Sequence, residues 1–168
     1  ETISAAIGQG YVTVTPLQMA SLVGTVANNG VSYRPRLVQA VMDRMSGNLQ
    51  ELPAVPRGKI NAKPETFRVI KDALADVVTK GTATRAKSSM VTIGGKTGTA
   101  QVAALRTGPE ENIPKKFRDH AWFVAFAPVE SPKIAVAVLA EHMGHGGAAA
   151  APLAKEVIET YMKLAPQV

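Results

Sequence analysis

Two apolar segments late in the chain constrain the fold more than any other feature. "HAWFVAFAP" and "KIAVAVLAEH" are separated only by "VESP". Each reads as a strand whose apolar residues do not alternate with polar ones, so both of its faces need cover. A connection this short joins neighbouring antiparallel strands. The chain therefore has to place layers on both sides of an antiparallel sheet. The fold class expected is α+β, an antiparallel sheet layered with helices.

Three segments can supply those layers. In "TPLQMASLVGTVANNG", Thr15 caps a helix, Pro16 suits its first position, and Gln18 completes a Thr-x-x-Gln capping box. Leu17, Ala20, Val23 and Ala27 give one apolar face, and Gly30 is a stop. Pro64 opens a second helix in which Phe67, Ile70, Leu74 and Val77 recur at helical spacing, with Gly81 at its end. "AAAAPLAKEVIETYMK" is the final helix, and Leu153, Val157, Ile158 and Tyr161 are its expected core face. Between the first two helices, "PRLVQAVMDR" reads as a strand and "MSGNLQEL" as a turn and return. Residues 104–118 form a polar loop containing lysine and proline. The chain holds no internal repeat and no low-complexity segment.

"GGKTGTAQV", residues 94–102, breaks the pattern of an ordinary strand. In a strand, Thr97 and Thr99 point one way and Lys96 the other. Two hydroxyls on one face can hold a carboxylate, and the ammonium beside them adds positive potential. Gly98 removes a side chain that would keep a ligand's backbone away. The main chain can then pair with an extended peptide, and a backbone N–H can face an oxyanion. The alternative is purely structural: a glycine-rich strand that lets a helix pack closely, with Lys96 reaching out to solvent.

Composition narrows the classes. Hydrophobic residues make up 46% of the 168 residues and charged residues 19%, a globular balance in one domain. The net charge of +6 fits a nucleic acid, an anionic membrane surface, an acidic substrate or a mildly basic surface. No nucleic-acid motif accompanies that charge and aromatics are scarce, so no nucleic-acid partner is expected. Cysteine is absent, which removes disulfides and thiolate zinc sites and leaves the compartment open. No run of about 18 apolar residues suggests a membrane span. There is no signal peptide and no initiating Met, so the chain is expected to be part of a longer protein.

Other residues invite chemistry but have simpler readings. Glu141, His142 and His145 have a spacing compatible with a metal, yet a glycine-rich loop at a strand end accounts for them, and neither metal nor cofactor is expected. His120 could act as a base, or with Asp119 start a strand and bond nearby backbone. Lys80, Arg85 and Lys87 form either a steering patch or a solvated face.

Lys-Thr-Gly, present at Lys96–Gly98, is the third motif of penicillin-binding proteins and class A β-lactamases. "IGQGYVTVTPLQMASLVGTVANNG" resembles the stretch that follows the second active-site motif in class B penicillin-binding proteins. "KGTATRAK", "GGKTGTAQV", "RDHAWFVAFAP", "IAVAVLAEH" and an alanine-rich final helix resemble the same family in the same order, over essentially the whole chain. The elongation-type branch is the more similar, the division-type branch less so.

The resemblance implies the C-terminal half of a penicillin-binding transpeptidase or β-lactamase-like fold, with residues 1–168 as the C-terminal portion of a single domain. It implies a serine D,D-transpeptidase that cross-links peptidoglycan stem peptides and is acylated by β-lactams. Carried over, Lys96 sits beside the serine of the second motif and supports proton transfer. Thr97 and Thr99 hold the carboxylate of substrate or antibiotic, Gly98 gives access, and the Thr99 N–H is one arm of the oxyanion hole. Gln9, within Gly8–Gly10, lies near the floor of the cleft. The implied parent has an N-terminal membrane anchor and a catalytic domain in the periplasm or cell exterior. Its implied partners are a cell-wall polymerase and elongation-complex proteins.

The chain departs from the family in one large respect. None of Ser4, Ser21, Ser32, Ser46, Ser88, Ser89 and Ser131 has lysine three residues on, so the Ser-x-x-Lys nucleophile is missing. Ser46-Gly47-Asn48 matches Ser-x-Asn, but it falls in a turn and after "IGQGY" instead of before it. The isolated chain is therefore expected to resist acylation, and a truncated sheet is expected to make it self-associate. Two other readings remain beside the transpeptidase. One is a β-lactamase or β-lactam sensor domain, against which the "IGQGY" and "TPLQMA" block stands by resemblance. The other is a non-catalytic cell-wall scaffold.

Overall fold

The two apolar segments form the centre of the sheet. In a computed structural model that describes residues 6, 8, 12–102 and 113–164, β6 (His120–Ala127) and β7 (Ile134–Ala140) pair antiparallel from Ala127↔Ile134 to Ala121↔Ala140. The glycine strand, β5 (Gly94–Ala100), lies on the other side of β6, antiparallel from Gly94↔Phe126 to Ala100↔His120. The order β5-β6-β7 leaves β5 at one edge and β7 at the other among the described residues.

Helices cover both faces, as the lack of alternation requires. On one face, Ala121, Phe123, Ala125 and Ala127 of β6 pack with Ala150, Ala151, Ala154 and Ile158 of α3 (Ala150–Leu164). On the other, Phe126 packs with Val23 and Ala27 of α1 (Pro16–Ala27). The third helix, α2 (Pro64–Thr79), gives Val78 to the first cluster and Leu74 to the second. The fold is the expected α+β arrangement. No helix among the described residues is long and apolar enough to cross a membrane.

The helix punctuation is as read. The Thr15 hydroxyl accepts the Gln18 N–H at 3.2 Å while the Gln18 side chain accepts the Thr15 N–H at 2.8 Å. α1 gives way at Asn28, and Gly30 follows at φ 88, where a Cβ would lie 2.5 Å from Cζ of Phe67. α2 ends at Thr79, and Gly81 turns so tightly that a Cβ there would lie 2.8 Å from the Val77 Cα.

Three expectations need correction. Leu153, Val157 and Tyr161 do not face the core; they are exposed, and only Ile158 of the expected four is buried. The face that docks on the sheet is the alanine stripe, because small residues let the helix axis approach a surface already filled by Phe123. Leu17 of α1 and Ile70 of α2 are likewise exposed. The "PRLVQAVMDR" strand is shorter than read: β2 is Ala40–Met42, returning as β3 (Leu49–Glu51). A further pairing, β1 (Val31–Tyr33) with β4 (Pro56–Lys59), had no sequence signal, since β4 consists of proline, arginine, glycine and lysine and is exposed throughout.

Candidate active site

The first two glycines of the motif answer to packing. A Cβ on Gly94 would lie 2.8 Å from Cζ of Phe126, and one on Gly95 would lie 2.5 Å from Cζ of Phe123. The two aromatic rings of β6 occupy opposite faces and use the space that these side chains would fill. The glycines of this pair do serve packing, but what they admit is the rings of the neighbouring strand and not the helix expected from the sequence. Beyond them the strand changes character, from buried Gly95 to exposed Lys96.

Register fixes where the next side chains point. Lys96 pairs with Val124 and Gly98 with Trp122, on the α1 side; Thr97 pairs with Phe123 and Thr99 with Ala121, on the α3 side. The expected division between Lys96 and the two threonines is present. Because β5 is an edge strand, residues from both of its faces reach one opening. A cavity of about 220 Å³ is lined by Lys96, Thr97, Gly98, Thr99 and Ala100 together with Val12, Val14, Met19, Trp122 and Val124. Gly8 also lines it. Gln9 and Gly10 lie outside the described residues.

The polar groups are held in place. The Lys96 ammonium donates to the Thr97 carbonyl at 2.9 Å. The Thr97 hydroxyl lies 2.8 Å from the Thr82 hydroxyl. Behind the strand, Gly146 and Gly147 come close: a Cβ on Gly146 would lie 2.7 Å from the Gly98 carbonyl, and one on Gly147 2.1 Å from the Thr82 carbonyl. Thr82 is a residue that sequence reasoning missed, since nothing local marks a contact fifteen positions away. The cavity thus offers a cation, hydroxyls and an open strand edge, a set suited to an anionic, extended ligand. None of the described residues that line it is a serine, histidine or carboxylate.

The remaining candidates have structural employment. His120 begins β6, its Nδ1 accepts the His142 N–H at 2.9 Å, and the two rings meet edge to face at 4.5 Å. His142 Nδ1 lies 3.1 Å from the Arg118 carbonyl, and the Asp119 carbonyl accepts the Gly144 N–H. Lys80 pairs with Asp76 at 3.0 Å, and Arg85 donates to the Ala148 carbonyl at 3.2 Å. Ser46-Gly47-Asn48 is the β2–β3 turn: Asp43 accepts from the N–H groups of Ser46 and Met45, which hold its carboxyl below the usual range, and Gly47 has φ 70. The Ser88 hydroxyl donates to Glu159 at 2.6 Å.

Residues 1–159 match the model of the penicillin-binding protein transpeptidase domain. The peptidoglycan D,D-transpeptidases MrdA of Acinetobacter baumannii and Haemophilus influenzae are 38% and 36% identical over 96% of this chain. The chain spans only about a quarter of those relatives, 24% and 26% of their lengths. Penicillin-binding protein 2 of Pseudomonas aeruginosa superposes with a TM-score of 0.75 at 33% identity, over 99% of this chain and 34% of that one. The penicillin G acyl-enzyme complex of penicillin-binding protein A from Mycobacterium tuberculosis gives 0.74 at 32%, over 95% and 34%. With its Lys-Thr-Gly-Thr edge strand lining a cavity, the chain belongs to the penicillin-binding protein transpeptidase family, as a class B member similar to penicillin-binding protein 2.

Proposed function

We propose that this chain is the C-terminal part of a D,D-transpeptidase domain that cross-links peptidoglycan stem peptides during cell elongation. The observation that carries this reading is the edge strand itself: Lys96, Thr97, Gly98 and Thr99 all line one cavity in a member of this family. The nucleophilic serine and its lysine come from residues outside these 168. The serine oxygen bonds to the carbonyl carbon of the penultimate D-Ala, and the tetrahedral oxyanion faces the Thr99 N–H. The C–N bond then breaks, the serine's proton ends on the departing D-Ala amine, and an acyl-serine remains. A neighbouring stem-peptide amine attacks that ester and returns the proton to serine. Lys96 supports these transfers, while Thr97 and Thr99 hold the terminal carboxylate, with Gly98 giving the backbone access.

β-Lactams are ligands of the same site in this reading, as in the M. tuberculosis relative captured as an acyl-enzyme with penicillin G. A complex of Helicobacter pylori penicillin-binding protein 2 with MreC supports a partner of that kind. A cell-wall polymerase, an N-terminal membrane anchor and a periplasmic catalytic domain complete the proposal. The test is release of D-alanine from a stem peptide ending in D-Ala-D-Ala by the longer protein. Release, lost when the upstream serine is replaced, is expected; intact peptide would favour a non-catalytic scaffold.

The rest of the domain is proposed to cover the surface left open here. Leu153, Val157 and Tyr161 form an exposed apolar stripe on α3, and β7 pairs only with β6 among the described residues. Exposed apolar surface and an unpaired strand edge both favour association. The 168-residue chain alone is expected to sediment as oligomers at high concentration. A clean monomer would contradict this.

A further inference from the structure

We infer that Thr82 is a positioning residue for the site, one that sets the direction of the Thr97 hydroxyl. The inference rests on the reading that Thr97 binds a carboxylate. A threonine hydroxyl has one proton to give and two lone pairs. A carboxylate only accepts, so Thr97 must keep its proton for the ligand. The Thr82 hydroxyl, 2.8 Å away, supplies the complementary partner: by donating to the Thr97 oxygen it occupies a lone pair and leaves the Thr97 proton aimed into the cavity. A chain of two such bonds also polarises the outer one, making Thr97 a better donor.

Thr82 is built to stay where it is. Its neighbour Ala83 is fully buried, as is Ala86 one turn on, and the Ala83 N–H donates to the Val77 carbonyl at the end of α2. Gly147 lies against the Thr82 carbonyl so closely that no side chain fits between them. Arg85 ties the same turn to the Ala148 carbonyl. The loop after β7 therefore braces Thr82 through Gly147 and the site strand through Gly146, whose missing Cβ would fall between the Trp122 and Gly98 carbonyls. Two threonines fifteen residues apart share one support.

The test uses the longer protein that contains this chain, in wild-type, Thr82→Val and Thr82→Ser forms. Acylation rates are measured with penicillin G and with its methyl ester, which lacks the carboxylate. Thr82→Val is expected to slow penicillin G by about 3- to 10-fold, the range of one net hydrogen bond. The ester should react at its wild-type rate, and Thr82→Ser should restore most of the loss. Equal slowing of both compounds, or none of either, would overturn the positioning role while leaving the transpeptidase reading intact. No acylation of the wild-type protein by penicillin G would overturn that reading and this inference with it.

Discussion

Replacing Lys96 with alanine is expected to lower the acylation rate of the longer protein by about 10³-fold, within the range attributed to a positioned proton-transfer group. The loss is catalytic, because Lys96 is exposed and its bond to the Thr97 carbonyl joins neighbouring residues of one strand. No core contact goes with it, so thermal unfolding should move little. Arginine is no substitute: its planar fork is wider than the compact ammonium and cannot release a proton at working pH. Lys96→Arg is therefore expected to stay well below wild type. An alanine variant acylated at the wild-type rate would remove Lys96 from the mechanism.

Phe123→Ala has the largest expected effect on stability, about 3–5 kcal/mol, the range for truncating a buried aromatic. The ring is fully buried at the centre of β6, against the α3 face, and its edge fills the space beside Gly95. The hole would open directly under the strand that carries Lys96. Denaturant unfolding of the longer protein's transpeptidase domain reads the loss as a lower midpoint with an unchanged slope. A shift under about 1 kcal/mol would mean that the core collapses around the missing ring, contrary to the tight packing at Gly95.

Much of this arrangement is legible in the residues. The Thr15–Gln18 capping box is local chemistry and needs only four positions to read. The unalternating β6 and β7 segments demand cover on both faces, and α1 and α3 provide it. What was not legible depends on contacts between distant segments. On α3 both stripes are apolar, and hydrophobicity ranks Leu153, Val157 and Tyr161 above alanine. The sheet selects the alanines because Phe123 already takes up the volume. β1 and β4 pair without any periodic pattern, so only the fold brings them together.

The site divides in the same way. Lys96, Thr97, Gly98 and Thr99 stand out because a cation and hydroxyls among glycines suit no ordinary strand, and they do line one cavity. The two glycines before them serve the rings of Phe126 and Phe123. Thr82 falls within "KGTATRAK", but nothing in that stretch marks its part in the site; its hydroxyl meets Thr97 only because Gly147 and the end of α2 hold the turn there.

The most direct test is intact mass after incubation with penicillin G, on the longer protein and on this 168-residue chain side by side. One adduct on the longer protein, mapped to a serine outside these residues, with none on the chain alone, is the result expected of a split site whose second half is Lys96 to Thr99. No adduct on the longer protein, or one on a serine of this chain, would contradict it.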